Sequence, residues 1–167
     1  MKGDWMIEEM RAMASWEDLN PKQLAYFKKM VEDARVVECV PLSEVFTKAE
    51  LAYIRKNLRP KVNECYRNST RLCELFMGSQ VHTVTYVEGF SETAGVIRIE
   101  HAWCCVDGRY VDPTFELLFK DDVRERGYVS LVEMTLHDLL GFQLESGYYG
   151  DTYRLKYLKS LQDAKVQ

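Results

Sequence analysis

A chain of 167 residues, 47% hydrophobic and 29% charged, can bury a sizeable core as a single domain and is too apolar to remain disordered. Its net charge of −4 excludes a global basic field for nucleic acid, and no apolar run approaches the roughly 18 residues of a membrane helix. Acids in MKGDWMIEEMRAM stand where a signal peptide has its apolar core, and five cysteines in a chain of this size point to a reducing, cytosolic compartment rather than a disulfide framework.

In chain order, residues 1–58 form a part that reads as helical. Asn20-Pro21 is an N-cap followed by proline at the first helical position, and Leu24, Phe27, Met30 and Val31 make an apolar stripe behind it. Thr47-Lys-Ala-Glu50 is a capping box before Leu51, Ile54 and Leu58, and Pro60 ends that helix. Asn63 caps a helix that runs to Gly78, with Leu72, Leu75 and Phe76 on its apolar face. Residues 81–90 (VHTVTYVEGF) read as a strand, 91–95 (SETAG) as a turn or loop, 96–106 as a second strand and 109–113 as a third. Beyond Phe115, residues 129–134 fit a strand and Thr135 caps a short helix toward Phe142. Residues 145–151 read as a loop, and Asp151 caps a final helix with Leu155, Leu158 and Leu161 along one side. With no repeat, low-complexity tract or linker, these elements imply an α+β fold in a single domain over 1–167, divided into a helical part (1–58), a central part (60–115) and a C-terminal completion (116–167).

The chemistry concentrates in residues 99–115, IEHAWCCVDGRYVDPTF. Asp107-Gly108 is the signature of a two-residue hairpin, because a type I′ turn needs positive φ at both central positions. Counting back from that turn puts Cys104 opposite Val111 and Trp103 opposite Asp112. His101 shares the face of Trp103, so His101 and Asp112 are diagonal neighbours with Cα atoms roughly 7–8 Å apart. A surface histidine beside a surface aspartate would satisfy the same parity. A histidine held by an aspartate is also half of a nucleophilic triad, in which the carboxylate fixes the tautomer and the imidazole takes a proton from the nucleophile.

Cysteines supply the candidate nucleophiles. Cys104 points away from His101 and reads as core; Cys105 lies four residues along the same strand, roughly 13 Å off; Cys39 sits in an apolar stretch; Cys73 is in mid-helix. Cys65 occupies the second position of the helix capped by Asn63. There, free backbone N–H groups and the helix dipole favour thiolate and can hold an oxyanion, and Lys61 and Arg67 add positive charge. Glu64 opposes that charge unless it points away.

A cysteine at a helix start, a strand, His101-Ala102-Trp103 and a strand ending Val111-Asp112-Pro113-Thr114 resembles the transglutaminase-like branch of the papain-like cysteine enzymes, over Asn63 to Phe115. The segments CYRNS (65–69) and YVEGF (86–90) are similar to a small subgroup found in bacteria and phages. The resemblance implies a nucleophile helix packed on an antiparallel sheet, here with added N-terminal helices. It gives Cys65, His101 and Asp112 the roles of nucleophile, base and orienting carboxylate. Asn68, Tyr86 and Glu88 become candidates to line a substrate site, against helix-surface or sheet-packing roles for each. Trp103 becomes a candidate apolar wall, against a place in the core.

The expected activity is acyl transfer, with hydrolysis of a peptide, isopeptide or other amide ahead of transamidation, since hydrolysis needs no second substrate pocket. That chemistry requires no cofactor and no metal, and implies a peptide or protein amide as partner, with neither nucleic acid nor membrane. Two other classes remain. One is a non-catalytic binding module that keeps the fold, with Trp5, Trp16, Tyr26 and Phe27 covering the cleft. The other is a metal site from His82, His101, Cys104 and Cys105, which alternation along a strand disfavours.

Overall fold

Five strands form an antiparallel sheet in the computed structural model, which describes residues 1–93 and 95–163. They are β1 (Arg35–Val37), β2 (Val84–Thr93), β3 (Ile97–Val106), β4 (Arg109–Val111) and β5 (Tyr128–Met134), in the spatial order β1–β5–β2–β3–β4. Six α-helices accompany them: α1 (Asp4–Met13), α2 (Pro21–Asp33), α3 (Lys48–Asn57), α4 (Cys65–Leu75), α5 (Leu136–Ser146) and α6 (Thr152–Asp163). The mixture of helices with an antiparallel sheet is the α+β class expected from the sequence.

Sheet curvature follows from two local features. Gly89 sits at a bulge where β2 shifts register against β5, and a Cβ there would collide with the Val129 carbonyl. Past β1 the chain crosses to the other edge of the sheet, where Cys39 bridges Tyr110 and the Val40 N–H donates to the Tyr110 carbonyl at 2.8 Å. The two edges are thus drawn together and the sheet is curled. Val87, Trp103, Cys105 and Tyr128 pack with Cys39, Phe115 and Val123 in one cluster. Tyr86, Ala102, Cys104 and Val106 belong to the other, larger cluster, with Leu72 and Cys73 of α4 and the buried methionines of α1 and α2. Alternation along β3 separates the two sets.

The Asn20 cap and the Thr47 capping box both form: Asn20 accepts from the Gln23 N–H at 2.9 Å, and Glu50 returns a bond to the Thr47 N–H at 2.8 Å. The β3–β4 register is the one dictated by Asp107-Gly108, with Cys104 opposite Val111 and both turn residues at positive φ. Other boundaries differ. A strand, β1, lies inside the stretch read as helical, because its partner β5 is ninety-odd residues away (Arg35 pairs with Ser130) and three residues show no period. The SETAG turn is shorter than expected, since β2 runs to Thr93 with Ser91 opposite Ile99; Ala94 lies outside the described residues. Helix α5 extends to Ser146 before Gly147 stops it in a left-handed C-cap. On α6 the leucine stripe faces outward, with Leu158 43% and Leu161 40% exposed, while Tyr153 is buried.

Candidate active site

Cys65 opens α4, and its surroundings explain why the helix starts there. Asn63 is not the N-cap; it adopts a left-handed φ of 61°, and Glu64 is the cap residue with no side-chain cap bond. Cys65 is therefore the first helical residue, not the second. Asn68 is the first residue of this helix whose N–H closes an intrahelical bond to Glu64 (2.7 Å), so the N–H groups of Cys65, Tyr66 and Arg67 have no partner within the helix, and the Glu64 side chain does not cap them. Glu64 does not stand alone beside the thiol: Lys61 and Arg67 lie 3.9 and 3.8 Å from its two oxygens and balance its charge.

His101 projects from the part of β3 beyond the reach of β4 and is 2% exposed. Its Nε2 lies 2.7 Å from Asp112 Oδ2, the diagonal contact read from hairpin parity. Nδ1 is consequently the ring nitrogen left for the Cys65 thiol, which lies close enough to help raise the imidazole pKa. Burial alone would lower the His101 pKa, but the charge and hydrogen bond of Asp112, reinforced by Cys65, outweigh it and raise the value to about 9. The site thus favours the imidazolium form of His101.

Asp112 is fully buried, and each oxygen is occupied. Oδ1 accepts the N–H groups of Thr114 (2.9 Å) and Phe115 (3.0 Å), capping the turn that leads into a π-helical segment, Phe115–Phe119. Oδ2 accepts from His101 and from the Tyr128 hydroxyl at 3.1 Å. Phe115 then stacks on His101, with centroids 4.3 Å apart and planes at 22°, and the Arg126 guanidinium covers its other side at 3.7 Å. His101 and Asp112 are both buried, which strengthens the bond between them.

The remaining cysteines are buried, and Cys65 alone is half-exposed. Burial pushes the Cys39 thiol well up, and the nearby Asp112 charge adds to it; burial and Cys73 do the same for Cys104. Burial, with Glu133, raises Cys105 to about 11. Cys104 and Cys105 fall in different core clusters, and His82 is bound to Asp107 and Glu50. The four residues weighed as metal ligands therefore do not converge, and among the described residues no group of His, Cys, Asp and Glu is arranged to hold a metal ion.

Residues proposed to line a substrate site sit deeper than expected. Trp103 is fully buried within the curled sheet, 6.1 Å from the His101 ring. Tyr86 is fully buried and donates to Glu88 at 2.7 Å. Glu88, 6% exposed, also accepts from Thr152 at 2.7 Å and from the Tyr153 N–H at 3.4 Å, so it anchors the start of α6; burial raises its pKa despite those donors. Asn68 is 2% exposed and engaged with Lys61 and Thr114. Tyr66, next in sequence to Cys65, packs against the loop before α6: a Cβ on Gly150 would lie 2.7 Å from its ring. A separate cavity of ≈40 Å³ lies between Tyr66, Glu88 and Glu100; neither Cys65 nor His101 lines it.

Tyr128, Thr114 and Phe115 are contributors that the sequence reading passed over. For Thr114 and Phe115 a signal existed, since Asp-Pro-Thr is also an N-cap pattern with proline at the first helical position. Tyr128 reaches Asp112 only through sheet order, which no local pattern encodes.

The chain matches no protein-family model, no curated protein and no solved structure.

Proposed function

We propose that this protein is a cysteine-dependent acyl-transfer enzyme with a transglutaminase-like, papain-like core, acting as a hydrolase of amide, peptide or isopeptide bonds. The observation that carries the reading is the convergence of Cys65, His101 and Asp112 from a helix start, a strand and a capped turn, separated in sequence by up to 47 positions (65 to 112), with His101 bridging the other two. A buried imidazole held by a buried carboxylate, in reach of the one half-exposed thiol, is the constellation that nucleophilic catalysis needs.

The chemistry runs on these groups. Cys65 as thiolate attacks the substrate carbonyl carbon, forming a C–S bond, and the carbonyl oxygen takes the negative charge. The outward N–H of Cys65, with its helix neighbours, donates to that oxyanion. Imidazolium Nδ1–H protonates the leaving nitrogen, the C–N bond breaks and an amine departs. Water then attacks the thioester as His101 Nδ1 accepts its proton; the acid leaves and thiolate and imidazolium are restored. Asp112 keeps Nε2 protonated throughout, so Nδ1 presents a lone pair whenever a base is needed.

Thiol reactivity tests this. Iodoacetamide should modify Cys65 far faster than Cys39 or Cys73, with a rate that persists well under the ordinary thiol pKa of about 8.5 and is lost in His101→Ala. A uniform, slow reaction of all the thiols with an ordinary pH dependence would rule the mechanism out and favour a binding module. With reactivity established, a thiol-directed amide probe should label wild type and not Cys65→Ala, and the latter can trap the acyl substrate.

A further inference from the structure

Asn68 joins the two halves of the site. It is 2% exposed, in the first turn of α4. Its Oδ1 accepts the Lys61 N–H at 3.0 Å, and its Nδ2 donates to the Lys61 carbonyl at 2.9 Å and to Thr114 Oγ1 at 3.2 Å. The paired bonds to one residue's backbone close a ring that fixes the loop before the helix. Residues 61–63 of that loop are exposed, so packing does little to hold it. The loop leads through left-handed Asn63 to Glu64, and so sets where the Cys65 sulfur and its free N–H groups stand.

The third bond crosses to the other half. Thr114 gives its own N–H to Asp112 Oδ1 at 2.9 Å, and Asp112 holds His101. A closed circuit results: the Lys61 backbone, Asn68, Thr114, Asp112, His101 and back to Cys65. Asparagine is the residue that fits, because the circuit requires an acceptor and two donors at one planar group. Aspartate offers no donor, and alanine offers nothing.

We propose that Asn68 is a positioning residue that sets the Cys65–His101 geometry from both sides, and not a substrate ligand. The proposal rests on the Cys–His–Asp reading of the site. With its amide saturated and buried, Asn68 acts through the loop and through Thr114.

The test is the pH dependence of Cys65 alkylation by iodoacetamide on the full chain. Asn68→Ala, Asn68→Asp and Thr114→Val should each slow the reaction at pH 6 by about tenfold or more, the scale expected for displacements of under an ångström to one ångström at a reacting pair. They should also move the half-maximal pH toward that of a free thiol, about 8.5. Leu139→Ala, a cavity at a fully buried α5 side chain that makes none of the circuit's bonds, should lower stability and leave the midpoint where it is in wild type. If Asn68→Ala fails to fold, Thr114→Val decides, since it removes one hydroxyl at nearly constant volume. Folded variants with the wild-type profile, or an equal shift in Leu139→Ala, would overturn the positioning role alone. A wild-type protein without His101-dependent reactivity under pH 8 would overturn the triad reading and this role with it.

Discussion

Replacing Asp112 by asparagine changes one charge and almost no volume, so its consequences can be worked from the hydrogen bonds. Oδ1 keeps its two backbone donors, Thr114 and Phe115, which orients the amide NH2 toward His101 Nε2 and the Tyr128 hydroxyl. A donor then faces the nitrogen that carried a proton. The imidazole must expose a lone pair at Nε2 and move its proton to Nδ1, which presents an N–H to Cys65 in place of a base. The electrostatic effect has the same sign. His101 stands at about 9 because Asp112, with help from Cys65, overcomes burial; without the carboxylate, burial is opposed only by the thiol. A fall from about 9 to the ordinary 6.5 corresponds to about 3 kcal/mol in the preference for imidazolium, hence roughly 10²-fold in the thiolate–imidazolium population at neutral pH. Iodoacetamide labelling of Cys65, followed by peptide mass spectrometry from pH 5 to 9, should show a loss of that order at pH 7, with the residual reaction rising only as a free thiol does. Urea unfolding in parallel verifies that the variant is folded. A folded Asp112→Asn protein that alkylates with the wild-type rate and profile would refute both the tautomer and the charge argument.

The same pair makes stability depend on pH. His101 has a folded pKa above its unfolded 6.5, so its contribution is complete under pH 6.5 and fades as pH rises to about 9; the urea midpoint should fall across that interval, and the slope should flatten in Asp112→Asn. His82 adds a second window. Its bond to Asp107, then Glu50, raises its pKa against a desolvation cost, while bonds to Thr47 and His82 lower Glu50 and Asp107. Its part is lost as pH climbs past 6.5 and theirs as pH drops below about 4. His82→Gln should therefore lose more stability at pH 5.5 than at pH 9, measured by urea unfolding. Gly89→Ala forces a Cβ onto the Val129 carbonyl and within 3.0 Å of Ser130 Cα, where backbone must move, and should cost about 3 kcal/mol or prevent folding, read from thermal denaturation.

What the sequence disclosed was local. Asn20 with Pro21, and Thr47 with Glu50, mark helix starts within three residues, and Asp107-Gly108 fixes a register through two dihedral angles. The His101–Asp112 contact was readable because it hangs on that one turn. The cap of α4 was misplaced by one residue because Asn63, a good capping type, is equally suited to the left-handed conformation it adopts. β1 escaped notice because three residues pair with a strand nearly a hundred positions on, and the burial of Tyr86, Glu88 and Trp103 depends on which face of a curled sheet meets α6 or the interior. The Asn68 circuit was beyond reach for the same reason: its partners lie at residues 61 and 114, and only the folded chain brings both to one amide.

Asp107 shows how the site borrows rigidity from outside itself. Its φ of 51° serves the hairpin, and its carboxylate also accepts the Thr83 N–H at 2.8 Å and bonds His82 at 2.6 Å. His82 in turn bonds Glu50 at 3.1 Å and is flanked edge-on by Phe46 and Phe76, so the turn is tied to α3 and to the approach to β2. A slip of one residue at this turn would send Asp112 to the opposite face from His101. β4 has only three paired residues to resist that slip, because the strand must end at Val111 for Asp112 to leave the ladder and cap the following turn. The short strand that frees Asp112 for His101 is thus steadied from outside its own pairing, by the Val40 N–H on the Tyr110 carbonyl at its outer edge and by the His82 cluster at the far end of the hairpin.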